Sequence, residues 1–274
     1  MNLENYFIQT LKNSHIGDDG ALMGDGYVYS KDAFFENVHF KREWLTLYDI
    51  AKKAMVVNIS DAIAMNAIPK YALLAVAMPK HFTKQEAQEL SRGFYETAKE
   101  YNVEIIGGDT LSNTKVDISV TIISKTKKPL LRKGIKEGYL LAYTGELGRS
   151  KKELQKLFRG GKIHKKSKFI NITLRQKFIA NSIRFLKSGM DISDGLLSDL
   201  EKLANVNKIG FRFLTKIEKN VGCSGEEYEM LIAFDRRNKK ALLRHSKQTR
   251  TPLHIFAQAT KQKRYINRCK AHHF

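Results

Sequence analysis

Seven aspartates, Asp18, Asp19, Asp32, Asp61, Asp109, Asp191 and Asp194, lie in short stretches of small, apolar or glycine residues. The stretches read Gly17-Asp18-Asp19-Gly20-Ala21, Ser30-Lys31-Asp32, Asn58-Ile59-Ser60-Asp61, Gly107-Gly108-Asp109-Thr110 and Asp191-Ile192-Ser193-Asp194-Gly195. A buried, unpaired carboxylate is costly, so such a set is tolerable only where solvent or multivalent cations offset the repulsion. Magnesium takes an octahedron of oxygens and keeps several of its waters, so a phosphoryl-transfer site supplies a few carboxylates and the nucleotide completes the shell. Gly107 and Gly108 are expected to form a turn that admits a phosphate close to the backbone. The pattern points to magnesium and ATP. The common nucleotide loops, Gly-x-x-x-x-Gly-Lys-Ser/Thr and Gly-x-Gly-x-x-Gly, are absent, as are the protein-kinase motifs.

The elements that must hold these residues are legible in part. Helical spacing over Leu47 to Met65 places Asp61 among Ile50, Ala54, Val57 and Ala64, on an apolar stripe. Strands are expected at Tyr27 to Lys31, Tyr71 to Met78, Val103 to Ile106 and Val116 to Ile123, the last with strict alternation of apolar and polar residues. Thr83-Lys84-Gln85-Glu86 matches a capping box in front of a helical pattern. The polar stretch Lys133 to Gly138 marks a boundary, so domains over 1–137 and 138–274 are expected. Beyond it a strand from Tyr139 to Tyr143 runs into Thr144-Gly145-Glu146-Leu147-Gly148-Arg149-Ser150 and a basic helix.

The chain has 274 residues, ample for one large or two smaller cores. It has neither a signal-peptide start nor an apolar run long enough to span a bilayer, so a soluble, cytoplasmic protein is expected. Its net charge of +20 is uneven: residues 1–148 hold 18 basic and 18 acidic side chains, 149–187 carry +12, 188–234 carry −3 and 235–274 carry +11. No aromatic-interleaved recognition motif accompanies the basic segments, which favours solvated surface or general anion attraction over a nucleic-acid site. Cys223 and Cys269 are far apart and lack metal-ligand spacing, so two free thiols are expected.

Taken in order, these motifs resemble thiamine-monophosphate kinase, a family similar in fold to aminoimidazole ribonucleotide synthetase, selenophosphate synthetase and a hydrogenase maturation protein. The matching stretches include Asp32 through His39-Phe40, Ala64-Met65-x-Ala67-x-Pro69 and Gly225-Glu226-Glu227-Tyr228-Glu229 beside those above. The resemblance implies an α/β (α+β) protein of two domains, the N-terminal mixed sheets of two subunits joining into a barrel across a homodimer. It implies ATP, thiamine monophosphate and several magnesium ions. Carried over residue by residue, Asp19, Asp32, Asp61, Asp109, Asp191 and Asp194 would hold metal, with Ser30 and the backbone of Lys31. Gly108, Asp109, Arg132 and Ser193 would meet ATP, and His39 and Glu226 the thiamine substrate. The acceptor is itself a phosphate oxygen, so no general base is assigned.

The chain departs from the family pattern at Lys31, where threonine is usual, at Asn37 in place of glycine, and at Tyr139 in place of aspartate. Thr173-Leu174-Arg175 stands where Pro-x-Pro-Arg is expected, and Ala271 stands where an aromatic precedes the final His-Phe. Losing that aromatic removes a stacking surface for the thiamine ring. Other enzymes of the superfamily would share the aspartates and differ in the acceptor pocket. A basic RNA-binding module would leave Asp61 unexplained, and a silent scaffold should have lost the aspartates first.

Overall fold

The computed structural model describes residues 3–261 and 265–270, and its strands gather into two five-stranded sheets. After α1 (Leu3–Thr10), the first sheet is built from β1 (Ala21–Leu22), β2 (Tyr27–Phe35), β3 (Ile68–Pro79), β4 (Glu104–Asn113) and β5 (Asp117–Lys125), ordered β1-β2-β5-β3-β4. Only β3 and β4 pair in parallel. On one side α2 (Leu47–Ala64) packs against β2 and β5, and α3 (Lys84–Tyr101) packs against α2. The second half runs β6 (Leu140–Thr144), α4 (Arg149–Phe158), α5 (Gln176–Ser182), β7 (Leu186–Asp191), α6 (Leu196–Asn207), β8 (Gly210–Phe213), α7 (Lys219–Gly222), β9 (Met230–Phe234), α8 (Lys239–Gln248) and β10 (Leu253–Thr260). Its strands form an antiparallel sheet ordered β7-β9-β6-β10-β8.

Local chemistry accounts for the elements that position the site. In β5, Ile118, Val120 and Ile122 are buried against the helices while Asp117, Ser119 and Thr121 face the other way. Thr83 and Glu86 close the capping box that starts α3. The helix α2 departs from the expected one-sided stripe, because 14 of its 18 residues are buried. A helix apolar on all sides belongs inside a protein. It is enclosed because it also touches β7 and α5 of the second half, where Ala64 joins Leu140 and Ile232 in a common cluster. Leu157, Phe169 and Ile170, from the segment following β6, complete the core under the first sheet.

Gly107-Gly108-Asp109 corrects the expectation of a phosphate-binding turn. These residues lie within a continuous β4, paired with Leu73, Leu74 and Ala75 of β3. Gly108 has φ +152°, and a Cβ there would fall 1.7 Å from the Leu74 carbonyl oxygen, so the glycine serves the approach of two strands.

The cysteines also differ from expectation. The 265–270 segment is held on α6 by the Tyr265 hydroxyl, which donates to the Leu197 carbonyl at 2.9 Å, and by Asn267 Nδ2, which donates to Ser198 Oγ at 3.2 Å. That docking brings Cys269 to Cys223, just after α7, and the two form a disulfide with Cα atoms 5.5 Å apart. A sequence separation of 46 residues gave no hint of it. Ala271 lies outside the described residues. Among those described, no helix is long and apolar enough to cross a membrane.

Candidate active site

Two polar residues near the end of α2 anchor the acidic motifs: Asn58 holds β2, and Ser60 reaches the second half. Asn58 Nδ2 donates to the Ala54 carbonyl at 2.9 Å, which leaves its Oδ1 to accept from the Asp32 backbone N–H at 2.7 Å. Ser30 Oγ donates to the Asn58 carbonyl at 3.3 Å, so both ends of the Ser30-Lys31-Asp32 stretch are fastened to one helical residue. Ser60 Oγ donates to Asp191 Oδ2 at 2.6 Å, joining α2 to the end of β7. Asp61, the next residue, is only partly covered among buried neighbours.

The electrostatics of this cluster are unfavourable without added cations. Burial raises the Asp61 carboxyl well above the usual range, and repulsion from Asp32, Asp191 and Asp19 adds to it while Arg132 opposes. Asp191 is pushed up in the same way by burial and by Asp19, in spite of its Ser60 hydrogen bond. Burial keeps Asp19 raised even though Arg132 lies on it, Nε donating to Asp19 Oδ1 at 3.1 Å. The Arg132 backbone N–H donates to Asp18 Oδ1 at 2.6 Å. Asp194 pairs with Lys202 at 2.7 Å, and that lysine also holds Asp199 at 2.8 Å, whose carboxyl burial raises to about 6.

Among the described residues, no three His, Cys, Asp or Glu side chains already form a metal cage. The donor set nevertheless fits a hard cation: Asp32, Asp61 and Asp191 offer only oxygens, and their mutual repulsion is what a divalent ion would relieve. Magnesium suits such a partial set because it keeps several waters and shares phosphate oxygens.

A second acidic cluster follows on the loop before β9, bonded to the first. The Glu226 N–H donates to the Ser193 carbonyl at 2.7 Å, and the Tyr228 N–H donates to that of Ile192 at 2.9 Å. Glu226 and Tyr228 take φ values of 59° and 49°, unusual for residues with a Cβ and often a mark of functional loops. Glu226 meets the Lys53 ammonium at 2.7 Å. Burial pushes Glu226 up, but Lys53 and then His39 outweigh it and hold the carboxyl below the usual range. Glu227 accepts from the Gly148 N–H at 2.6 Å and from Ser224 Oγ at 2.6 Å, and pairs with Lys168 at 3.0 Å. Glu229 is gripped by Arg175 through Nε at 2.7 Å and Nη2 at 2.6 Å, and by Thr144 Oγ1 at 2.8 Å. Glu226 borders a cavity of about 440 Å3 whose walls include Leu154, Phe158 and Phe169. His39 stacks on Phe34 and accepts from the Phe35 N–H through Nδ1 at 3.0 Å.

Two predicted residues, Gly108 and Asp109 on β4, stand apart within one chain. Asp109 pairs across β3 and β5 with Ala75, Ser119 and then Ala33, a row that faces away from α2. Three strand spacings, roughly 14 Å, separate β4 from β2. Lys31 is exposed on that outer face as well, its Nζ 3.5 Å from Thr121 Oγ1. Tyr29, Phe35, Tyr71, Leu73 and Leu111 are exposed along the same outer rows.

Residues 17–126 match AIR synthase related protein, N-terminal domain. The chain is 32% identical over 243 residues to the thiamine-monophosphate kinase of Leptospira interrogans, covering 78% of this chain and 77% of that relative. It belongs to the thiamine-monophosphate kinase family. The enzyme of that name from Buchnera aphidicola is 31% identical over 256 residues, covering 83% of this chain and 78% of its own. Among solved structures, AaThiL complexed with AMPPCP and TMP superposes with a TM-score of 0.83 at 22% identity, covering 95% of this chain and 90% of its own. Escherichia coli HypE, a hydrogenase maturation protein, gives 0.73 at 15% identity over 98% and 96%. These two share the fold.

For this family member, motif reading had missed Lys53, Asp199, Lys202 and Lys168. Lysines on helices read as solvated in so basic a chain, and Lys168 sits in a lysine-rich stretch. Asp199, four residues after Gly195, would have needed the cap geometry, in which its Oδ2 accepts from the Asp194 N–H at 3.1 Å.

Proposed function

We propose that the protein transfers the γ-phosphoryl group of ATP to the phosphate of thiamine monophosphate, giving thiamine diphosphate and ADP. The observation that carries this is the pairing of an under-compensated aspartate cluster with a carboxylate-edged cavity, in a chain of this family. The bond from the γ-phosphorus to the bridging oxygen of ADP breaks as an acceptor phosphate oxygen bonds to the same phosphorus, in line. At neutral pH the acceptor phosphate is already largely dianionic, so no proton need be removed first. Catalysis then rests on positioning and charge neutralisation.

Asp19, Asp32, Asp61, Asp191 and Asp194, with Ser30 and the Lys31 backbone, are the residues that would hold magnesium. When bound, magnesium neutralises phosphate charge and fixes the phosphates relative to one another. Ser193 would approach ATP from the second half, and Arg132, which now lies on Asp19, from the segment between β5 and β6. His39 and Glu226 would meet the thiamine portion at the cavity.

Gly108 and Asp109 would serve from a second copy of the chain. The exposed apolar rows of the outer face support pairing with another such face, and Asp109 lies among them. Sedimentation at the mass of one chain under assay conditions would sink that pairing. Such an enzyme would work in the cytoplasm, where ATP is plentiful.

The deciding assay incubates purified protein with ATP, thiamine monophosphate and magnesium, and resolves the products by chromatography. Thiamine diphosphate and ADP in equal amounts, abolished by a chelator, are expected. ATP consumption without thiamine diphosphate would overturn the acceptor, and no reaction at all would overturn the function.

A further inference from the structure

Among the described residues Lys53 is the only lysine or arginine buried from solvent. It is 0% exposed, projects from α2, and has its ammonium 3.6 Å from the centre of the Phe169 ring and 5.8 Å from that of Phe34. A buried ammonium normally sheds its proton or unfolds its host unless an anion and ring faces replace its water. The anion here is Glu226 Oε2 at 2.7 Å. The other oxygen, Oε1, accepts from the Tyr228 hydroxyl at 3.0 Å. With its N–H donated to Ser193 and its φ at 59°, Glu226 is restrained through backbone and side chain alike.

Resting on the kinase reading above, we propose that Lys53, seated on the Phe169 ring, is the positioning residue that presents Glu226 to the cavity as a fixed, ionised hydrogen-bond acceptor for the N–H donors of the acceptor's organic portion. A carboxylate accepts only, whereas a protonated carboxyl also donates, and a ligand amino group needs the former. With Lys53 removed, the main opposition to burial would be gone, and the Glu226 carboxyl would become easier to protonate. The charged or titratable groups facing Glu226 are Lys53 on α2, His39 after β2 and Tyr228 on its own loop, and Lys151, Lys219 and Lys270 line the same cavity.

The test compares steady-state kinetics of wild type, Lys53→Arg, Lys53→Met, Glu226→Gln and the double variant Lys53→Met/Glu226→Gln. For Lys53→Met, KM for thiamine monophosphate should rise roughly ten- to hundredfold near neutral pH, the worth of one charged hydrogen bond. That KM should recover as pH rises, while KM for ATP stays within about twofold. Lys53→Arg should retain part of the affinity. The double variant should bind the acceptor no worse than Glu226→Gln alone, because Lys53 would then have nothing to position. Additive losses in the double variant, or a Lys53→Met KM equal to wild type or independent of pH, would overturn the inference while leaving an active wild-type enzyme and its function intact. If Lys53→Met fails to fold, the double variant, which removes both buried charges together, carries the decision against Glu226→Gln. An inactive wild type that binds no thiamine monophosphate by calorimetry would overturn the function and the inference with it.

Discussion

Two acidic clusters share one wall of this molecule and are treated oppositely by the fold. In the loop before β9, Glu226, Glu227 and Glu229 each meet a basic side chain: Lys53, Lys168 and Arg175. Around the end of α2, Asp32, Asp61 and Asp191 repel one another, and the cations nearby, Arg132 and Lys202, are engaged with Asp19, Asp194 and Asp199. The first cluster is neutralised by the chain itself and builds a rigid loop. The second is left short of positive charge, the condition a divalent cation would satisfy. The basic excess of the second half is thus partly internal, because Lys168 and Arg175 serve buried glutamates and not a surface for polyanions.

The largest expected effect comes from relieving the unpaired cluster. Asp61→Asn should lower kcat by roughly a thousandfold or more, since metal-assisted charge stabilisation is worth several kcal/mol. Its thermal midpoint without metal should equal or exceed that of wild type, because one repelling charge is gone. Wild-type turnover, or a large fall in the midpoint, would erase the contrast between the clusters. Next comes the paired cluster, where Arg175→Met strands a buried Glu229 and should cost about 3 kcal/mol in urea unfolding. A loss within experimental error would mean that Thr144 and Lys168, whose Nζ also lies 3.1 Å from Glu229 Oε1, suffice.

Acidity separates the clusters by sign. Asp199, Asp61 and Asp191 have carboxyls raised by burial, Asp199 to about 6. Unfolded, they titrate near about 4. Between those values the native state binds more protons than the unfolded one, so metal-free stability should fall as pH rises from about 4 through about 6. Glu226, held low, works the other way, contributing stability above its unfolded range that is lost as pH falls through its lower native value. Thermal melts with and without magnesium should diverge as pH rises. Curves that stay parallel would argue that magnesium does not bind the aspartates. The smallest effect is a control remote from both clusters: Thr83→Ala should cost about 1 kcal/mol through its cap and leave kcat unchanged.

What the sequence showed and hid follows from which interactions are local. The alternation in β5, the capping box of α3 and the length of α2 depend on neighbours in the chain, and all were legible. Asp19, Asp32, Asp61 and Asp191 were identifiable because carboxylates among small and apolar residues are out of place. Lys53 gave no such signal, since its burial depends on Phe169 and Glu226, more than a hundred positions away. Gly107-Gly108 looked like a turn because glycine permits one, yet the close approach of Leu74 requires glycine just as strictly. The Cys223–Cys269 bond depends on how the 265–270 segment lies on α6, which spacing cannot reveal.

Lys53, Asn58, Ser60 and Asp61 all belong to α2, and each addresses a different partner: Glu226, the Asp32 backbone, Asp191 and the aspartate cluster. On a helix each added residue turns the following ones by about 100° and advances them about 1.5 Å. One inserted residue between Lys53 and Asn58 would therefore swing the three later groups away together while sparing the lysine. Substitutions at these positions can be tolerated and repaired one at a time, but insertions and deletions cannot. Across homologous chains, α2 should vary in composition at its apolar positions and hold its length over this stretch, with loop insertions confined to its two ends.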